Sequence, residues 1–177
     1  MMTKVEGTAE FGDEVYRYRY LLTRTWDDSL PKAAFILLNP STADAEKNDP
    51  TVECCIEYVK QWKAEKSGGI IILNLYAFTT SDPEELAAFG YPIGPQNDHQ
   101  FRVLGAAFRD GLVNHIVVGW GGNRPKERIR KVVQLLGNVK IECLKKNADG
   151  SPRHPHARQY QVPYGQELES WNIADMR

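Results

Sequence analysis

The chain is short of cysteine, has no excess of either charge and carries no long hydrophobic run, and each shortage closes off a class of function. Three cysteines stand among 177 residues. Cys54 and Cys55 are neighbours in a helix-like stretch and Cys143 lies far off in a strand-like one, a spacing that makes neither a zinc nor an iron-sulfur motif. Reduced, structural thiols and no metal are expected. Lysine and arginine total 22 against 23 acidic residues, a formal net charge of −1. The two signs are interspersed, so the broad cationic surface of a nucleic-acid or membrane binder is missing, although a local basic patch remains compatible with this balance. No apolar stretch is long enough to cross a bilayer, and the opening "MMTKVEGTAEFGDE" has no apolar core of a secretion signal. The expectation is a cytoplasmic protein with no membrane partner and no cofactor.

What the sequence does hold is the material for one core. Hydrophobic residues make up 42% of the chain, enough for a single domain, and the length is too small for two comfortable ones. The reading is one α/β domain over residues 1–177, with its core at 14–171, flexible amino-terminal residues and a loop-rich carboxyl tail. "VYRYRYLLTRTW" alternates tyrosine and arginine with period two, which predicts a strand near a sheet edge with one aromatic face. The alternative is an Arg/Tyr surface that stacks on bases. "AAFILLN" suits a strand buried on both faces, ended by Pro40, which cannot donate a ladder hydrogen bond. Asp49 then predicts an N-cap and Pro50 the first position of a helix of about four turns that closes on Gly68 and Gly69.

"GGIIILNLYAF" is the most apolar strand and is expected near the centre of the sheet. "TSDPEELAAFG" repeats the Asp-Pro opening as a short helix, and "GPQNDHQFRVLGAAFRDG" predicts another that stops at Gly111. "NHIVVGWGG" reads as a strand, "RPKERIRKVVQLLG" as a helix bracketed by Pro125 and Gly137, and "NVKIECLKK" as the last strong strand. This alternation predicts crossover connections and a mostly parallel central sheet with helices on both faces.

In such sheets ligands bind beyond the carboxyl ends of the strands. The expected rim therefore gathers Asn39-Pro40-Ser41-Thr42, Asn74 with Tyr76 and Phe78, Gly119-Trp120-Gly121-Gly122, and Arg153-His154-Pro155-His156. Singly, each cluster also reads as ordinary turn chemistry. Asn74 is the exception: it follows Ile70, Ile71, Ile72 and Leu73 and precedes Leu75, so its amide enters a buried region where its donors and acceptor need partners. A carboxamide donates and accepts side by side, as reading the edge of an amide-containing ring such as a pyrimidine requires.

On "LNPSTAD", the "NL" strand end and "RHP", the chain resembles a family of small bacterial and phage proteins known only as a domain of unknown function, roughly from Tyr16 to Trp171. The motifs are also similar to those of the uracil-DNA glycosylase superfamily. "LLNPS" resembles the first catalytic motif of its mismatch-specific branch, "GGIIILNLYAF" the strand whose terminal asparagine reads the base, "HIVVGWGG" a strand ending in tryptophan and glycine, and the "HP" of "SPRHPHA" the second catalytic motif. The resemblance implies a uracil-DNA glycosylase-like fold and a hydrolase acting on an N-glycosidic bond in DNA repair or modification. Asn39 would orient the attacking water, Asn74 would read the flipped base and His154 would stabilise the negative charge of the leaving base. Asparagine is a poor general base, so Asp44 or Asp49 would supply a carboxylate.

Pro40, Ser41 and Thr42, with Trp120 and Gly121, would shape the base site, and Tyr76 or Phe78 would stack on the base. Arg153, Arg158 and Arg124 would meet phosphates. Ser41 stands where the uracil-specific branch has a bulky tyrosine, which leaves room for a larger or modified base. "HARQY" supplies no apolar wedge for a duplex. DNA is thus the first expected partner, a free nucleotide or nucleoside the second, and a non-catalytic nucleotide-binding protein of phage or host defence the third.

Overall fold

The structure, a computed structural model, describes residues 6–12, 18–122, 124–157 and 161–176. Strand β1 (Glu6–Phe11) pairs antiparallel with β2 (Arg19–Thr25), and β2 pairs antiparallel with β4 (Gly69–Asn74). β4, β3 (Lys32–Leu37), β5 (Val113–Val118) and β6 (Glu142–Cys143) run parallel, and β7 (Glu169–Ser170) closes the far edge antiparallel to β6. The order across the sheet is β1-β2-β4-β3-β5-β6-β7.

The expected mostly parallel sheet is therefore corrected to a mixed one. The reason is chain length: only Trp26 to Pro31 join β2 to β3, far short of the dozen or so residues a parallel crossover needs, so β2 must run the other way. Glu6–Phe11 adds a strand on the outer side of β2, and the first five residues, part of the amino terminus expected to be flexible, lie outside the described residues.

Helices α1 (Pro50–Gln61), α2 (Pro83–Ala88), α3 (Asn97–Arg109) and α4 (Lys126–Leu136) lie between the strands. Asp49 caps α1 and Asp82 caps α2, each with a proline in the first turn, and Gly111 and Gly137 follow α3 and α4 with positive φ. Helix α1 is shorter than expected. It ends at Gln61, where Trp62 turns extended, and the double glycine serves β4 instead: a Cβ on Gly68 would lie 1.7 Å from Asp27 O. The last strong strand shrinks to two residues in β6.

Alternation along the strands divides the core. Phe35, Leu37, Ile70 and Ile72 face Cys55, Ile56 and Val59 of α1, whereas Ile36, Leu73, Ile116 and Val118 face Leu86, Phe101, Leu104, Ile129 and Val132 of α2, α3 and α4. The connections after β3 and β5 thus leave toward opposite faces, which opens a crevice at their carboxyl ends. Among the described residues no helix is long and apolar enough to cross a membrane.

Candidate functional site

The ladder between β3 and β4 continues past the regular strands, with Leu75 N–H donating to Leu37 O at 2.8 Å and Tyr76 N–H to Leu38 O at 3.0 Å. This holds the two ends side by side, Asn74 in register with Leu37 and Asn39 two residues further on. By alternation Asn74 follows Ile70 and Ile72 onto the α1 face. There a small cavity of about 30 Å³ is lined by Asn39, Ser41, Asp49, Asn74, His154 and Arg19, with Leu37, Ile72 and Val52 as apolar walls and Thr51 completing it. The space is on the scale of two waters.

Each polar group brings a defined capacity. Asn39 gives its Nδ2 hydrogens to Pro40 O (2.9 Å) and Thr80 O (2.7 Å), which leaves its Oδ1 as an acceptor. Asp49 accepts Val52 N–H on one oxygen at 2.9 Å as the cap of α1. His154 accepts His156 N–H on Nδ1 at 3.1 Å, so the neutral ring carries its proton on Nε2. Burial holds its pKa down to about 4, and the ring is neutral at physiological pH. Asn74 is 1% exposed, yet neither its Nδ2 nor its Oδ1 has a hydrogen-bond partner among the described residues. Buried amides are normally satisfied.

The strand-end clusters thus converge only in part. Asn39, Ser41, Asp49, Asn74 and His154 share the cavity. Asp44 does not reach it: its carboxylate accepts the amides of Lys47 and Glu46, which hold its pKa below the usual carboxylate range, and closes a turn. Pro40 is buried and uses its carbonyl on Thr80 N–H, while Thr42 faces solvent. Tyr76 and Phe78 belong to the core on the opposite face, Tyr76 against Tyr91 and Phe78 against Phe89, and burial pushes the Tyr76 phenol up to about 12. Trp120 packs edge-on against Trp171 in that same core.

The glycines around Trp120 act indirectly. A Cβ on Gly119 would lie 2.9 Å from Pro155 Cδ, so the missing side chain lets the His154 loop close on β5. Gly121, at φ +81, donates its N–H to Pro152 O, tying the same loop. Of the arginines expected at phosphates, Arg124 donates to Trp120 O and Arg153 to Asn147 Oδ1, and Arg158 lies outside the described residues. Among the described residues no three His, Cys, Asp or Glu side chains gather to hold a metal ion.

Sequence reasoning missed Arg19 and Thr51. The Arg/Tyr alternation signalled a two-faced strand, and nothing in it marks Arg19 as 3% exposed. A wider, open cleft of about 750 Å³ lies on the other face between Tyr76, Tyr91 and α4. Its central Arg128 is bonded to Leu75 O and Asp98, with one Nη left unpaired among the described residues.

Among curated proteins no match is found. The family model described as "Protein of unknown function (DUF1643)" matches residues 19–156, a span that begins at Arg19 of the cavity and runs through the His154 loop, and the chain belongs to that family.

Proposed function

We propose that the chain is a cytoplasmic, nucleobase-recognising protein of N-glycosidase type, acting on a base or modified base in DNA and holding its edge in the cavity between β3, β4 and α1. The observation that carries the reading is Asn74, a buried carboxamide whose donor and acceptor are both unmet by the described protein. An imide-like ring edge matches such a pair with two hydrogen bonds. Beside it the neutral His154 offers an Nε2–H to a ring oxygen. A donor fixed in a water-poor site stabilises the charge that develops on a leaving base.

The remaining groups supply the water. Asn39 Oδ1 accepts one of its hydrogens, and the Asp49 carboxylate takes the proton as the oxygen adds to the sugar carbon. Asp49 suits this role better than Asp44, whose carboxylate is committed to its own turn. The base would reach the cavity flipped out of its stack, and the small Ser41 in its lining would leave space for a substituent.

The test is base release from oligonucleotides carrying uracil or a modified base, single- and double-stranded, with free bases as ligands in parallel. Release by the wild type, lost in Asp49→Asn while base binding persists, is the expected result. Failure to bind any base, free or in DNA, would remove the reading. A free nucleoside or nucleotide as substrate is the second reading, favoured by the engagement of Arg124 and Arg153 with protein groups and by the net charge of −1. Salt-insensitive nucleoside binding without DNA affinity would select it.

A further inference from the structure

Arg19 has no role in the chemistry above, although it lines the same cavity. Burying a guanidinium is costly unless its charge and its donors are met. Arg19 is 3% exposed. One Nη donates to Ala43 O at 2.7 Å, while Nε has no partner among the described residues. Within those residues it makes no ion pair.

Burial is the largest influence on it; the Asp49 carboxylate attracts it and Arg24 repels it, and the attraction does not offset the burial. From β2, Arg24 is also buried and is bonded to Asn48 and to the carbonyls of Thr23, Asp44 and Lys47. From the start of α1 comes Asp49, the one carboxylate among the described residues that line the cavity, buried and with an oxygen already engaged by Val52 N–H. The 152–156 loop contributes His154, neutral, and His156, whose Nδ1 lies 3.4 Å from Cys54 Sγ. Arg124 adds positive charge near His154. Burial lowers the Arg19 pKa to about 10, which still leaves the side chain charged near neutral pH. A fixed cation with an open donor therefore stands on the same small cavity as a carboxamide with both atoms open.

We propose that Arg19 is the counter-ion of the base, so that the cavity holds the ring edge in its anionic form and binds an ionised pyrimidine-like ring more tightly than its neutral near-isostere. This rests on the reading of the cavity as a base site and adds a catalytic residue to it. When the bond from sugar carbon to ring nitrogen breaks, its electron pair passes to the base. The water oxygen bonds to the sugar carbon, its proton goes to Asp49, and the charge spread over the ring oxygens meets Arg19 and the His154 Nε2–H. The anion is reprotonated on release.

Calorimetric titration of uracil, 5-fluorouracil and 6-azauracil near neutral pH tests this, because ring acidity rises along the series with little change in shape. Wild type should bind 6-azauracil about tenfold or more tightly than uracil, as charge-assisted bonds are about twice as strong as neutral ones, and raising the pH should close the gap. Arg19→Met should abolish the trend and Arg19→Lys should keep most of it. Measurable but equal affinities, or an unchanged trend in Arg19→Met, overturn the role of Arg19 alone. No binding of any of the three rings to folded wild type overturns the base-site reading with it. The wild-type series and Arg19→Lys decide the matter if Arg19→Met does not fold.

Discussion

The end of β4 is polar on both of its faces, in opposite ways. Toward α3 and α4, the Asn97 amide donates to Asn74 O at 3.0 Å and Leu75 O at 3.1 Å, and Arg128 Nε adds a bond to Leu75 O at 2.8 Å while one Nη pairs with Asp98. These side chains satisfy the carbonyls that β4 exposes where its ladder ends. Toward α1, the Asn74 side chain bonds no described group. Both asparagines are buried, so burial alone does not separate a strut from a recognition group. The identity of the bonded atoms does distinguish the two: Asn97 commits its Nδ2 to two backbone carbonyls and has only its Oδ1 unmet among the described residues, whereas Asn74 has both side-chain atoms unmet.

The comparison can be broken by mutation. The largest effect should come from Arg128→Met, which strips Leu75 O of its charged donor and leaves Asp98 unpaired. A loss of about 3 kcal/mol in urea unfolding is expected, with base binding by the folded fraction unchanged. A drop in affinity without one in stability would move the functional site to the α4 face.

Acid should act on the cavity side with nearly the same weight. The unfolded chain takes up a proton at the ordinary histidine value of 6.5, the folded one only at about 4. The contribution is therefore complete above about 6.5 and falls by about 3 kcal/mol as the pH drops toward 4. His154→Gln should flatten that part of the stability profile, and an unaltered slope would mean that His154 is not the group being protonated.

The paired asparagine variants sharpen the contrast most directly. Asn97→Ala should cost about 2 kcal/mol by leaving two carbonyls short of a donor. Asn74→Ala should cost under about 1 kcal/mol while weakening base binding about tenfold or more. Severe unfolding of Asn74→Ala with intact binding would make it a strut like its neighbour. The smallest effect belongs to Asp44→Asn, which should leave base binding and any base release unchanged; a catalytic loss there would return the general base to that loop.

Much of the frame could be read in the residues. Asp49-Pro50 and Asp82-Pro83 announce helix starts through local capping, Gly111 and Gly137 announce stops, and the apolar runs through Ala34 and Ile71 mark the inner strands. The cavity is partly legible too, since Asn39, Asn74 and His154 stand in polar strand-end clusters of the sequence and line one cavity. Tyr76 stands in the same strand-end cluster as Asn74, but the chain leaves regular strand geometry after Asn74 and carries it to the other face.

Local signals of capping, turn chemistry and hydrophobic period act over a few residues, and that is what the sequence by itself determined: the helices, the inner strands and the polar character of their ends. The burial of Arg19 and the different fates of Asn74 and Asn97 were decided by tertiary structure alone. Each depends on a partner distant in the chain. Arg19 reaches Ala43, Asn97 reaches back to Asn74, and His154 comes to both asparagine-bearing strand ends only because Gly119 lets its loop approach β5. A hydrogen-bond donor is indifferent to sequence distance, so which polar groups are satisfied, and which remain open to a ligand, is set only when the fold brings those partners within reach.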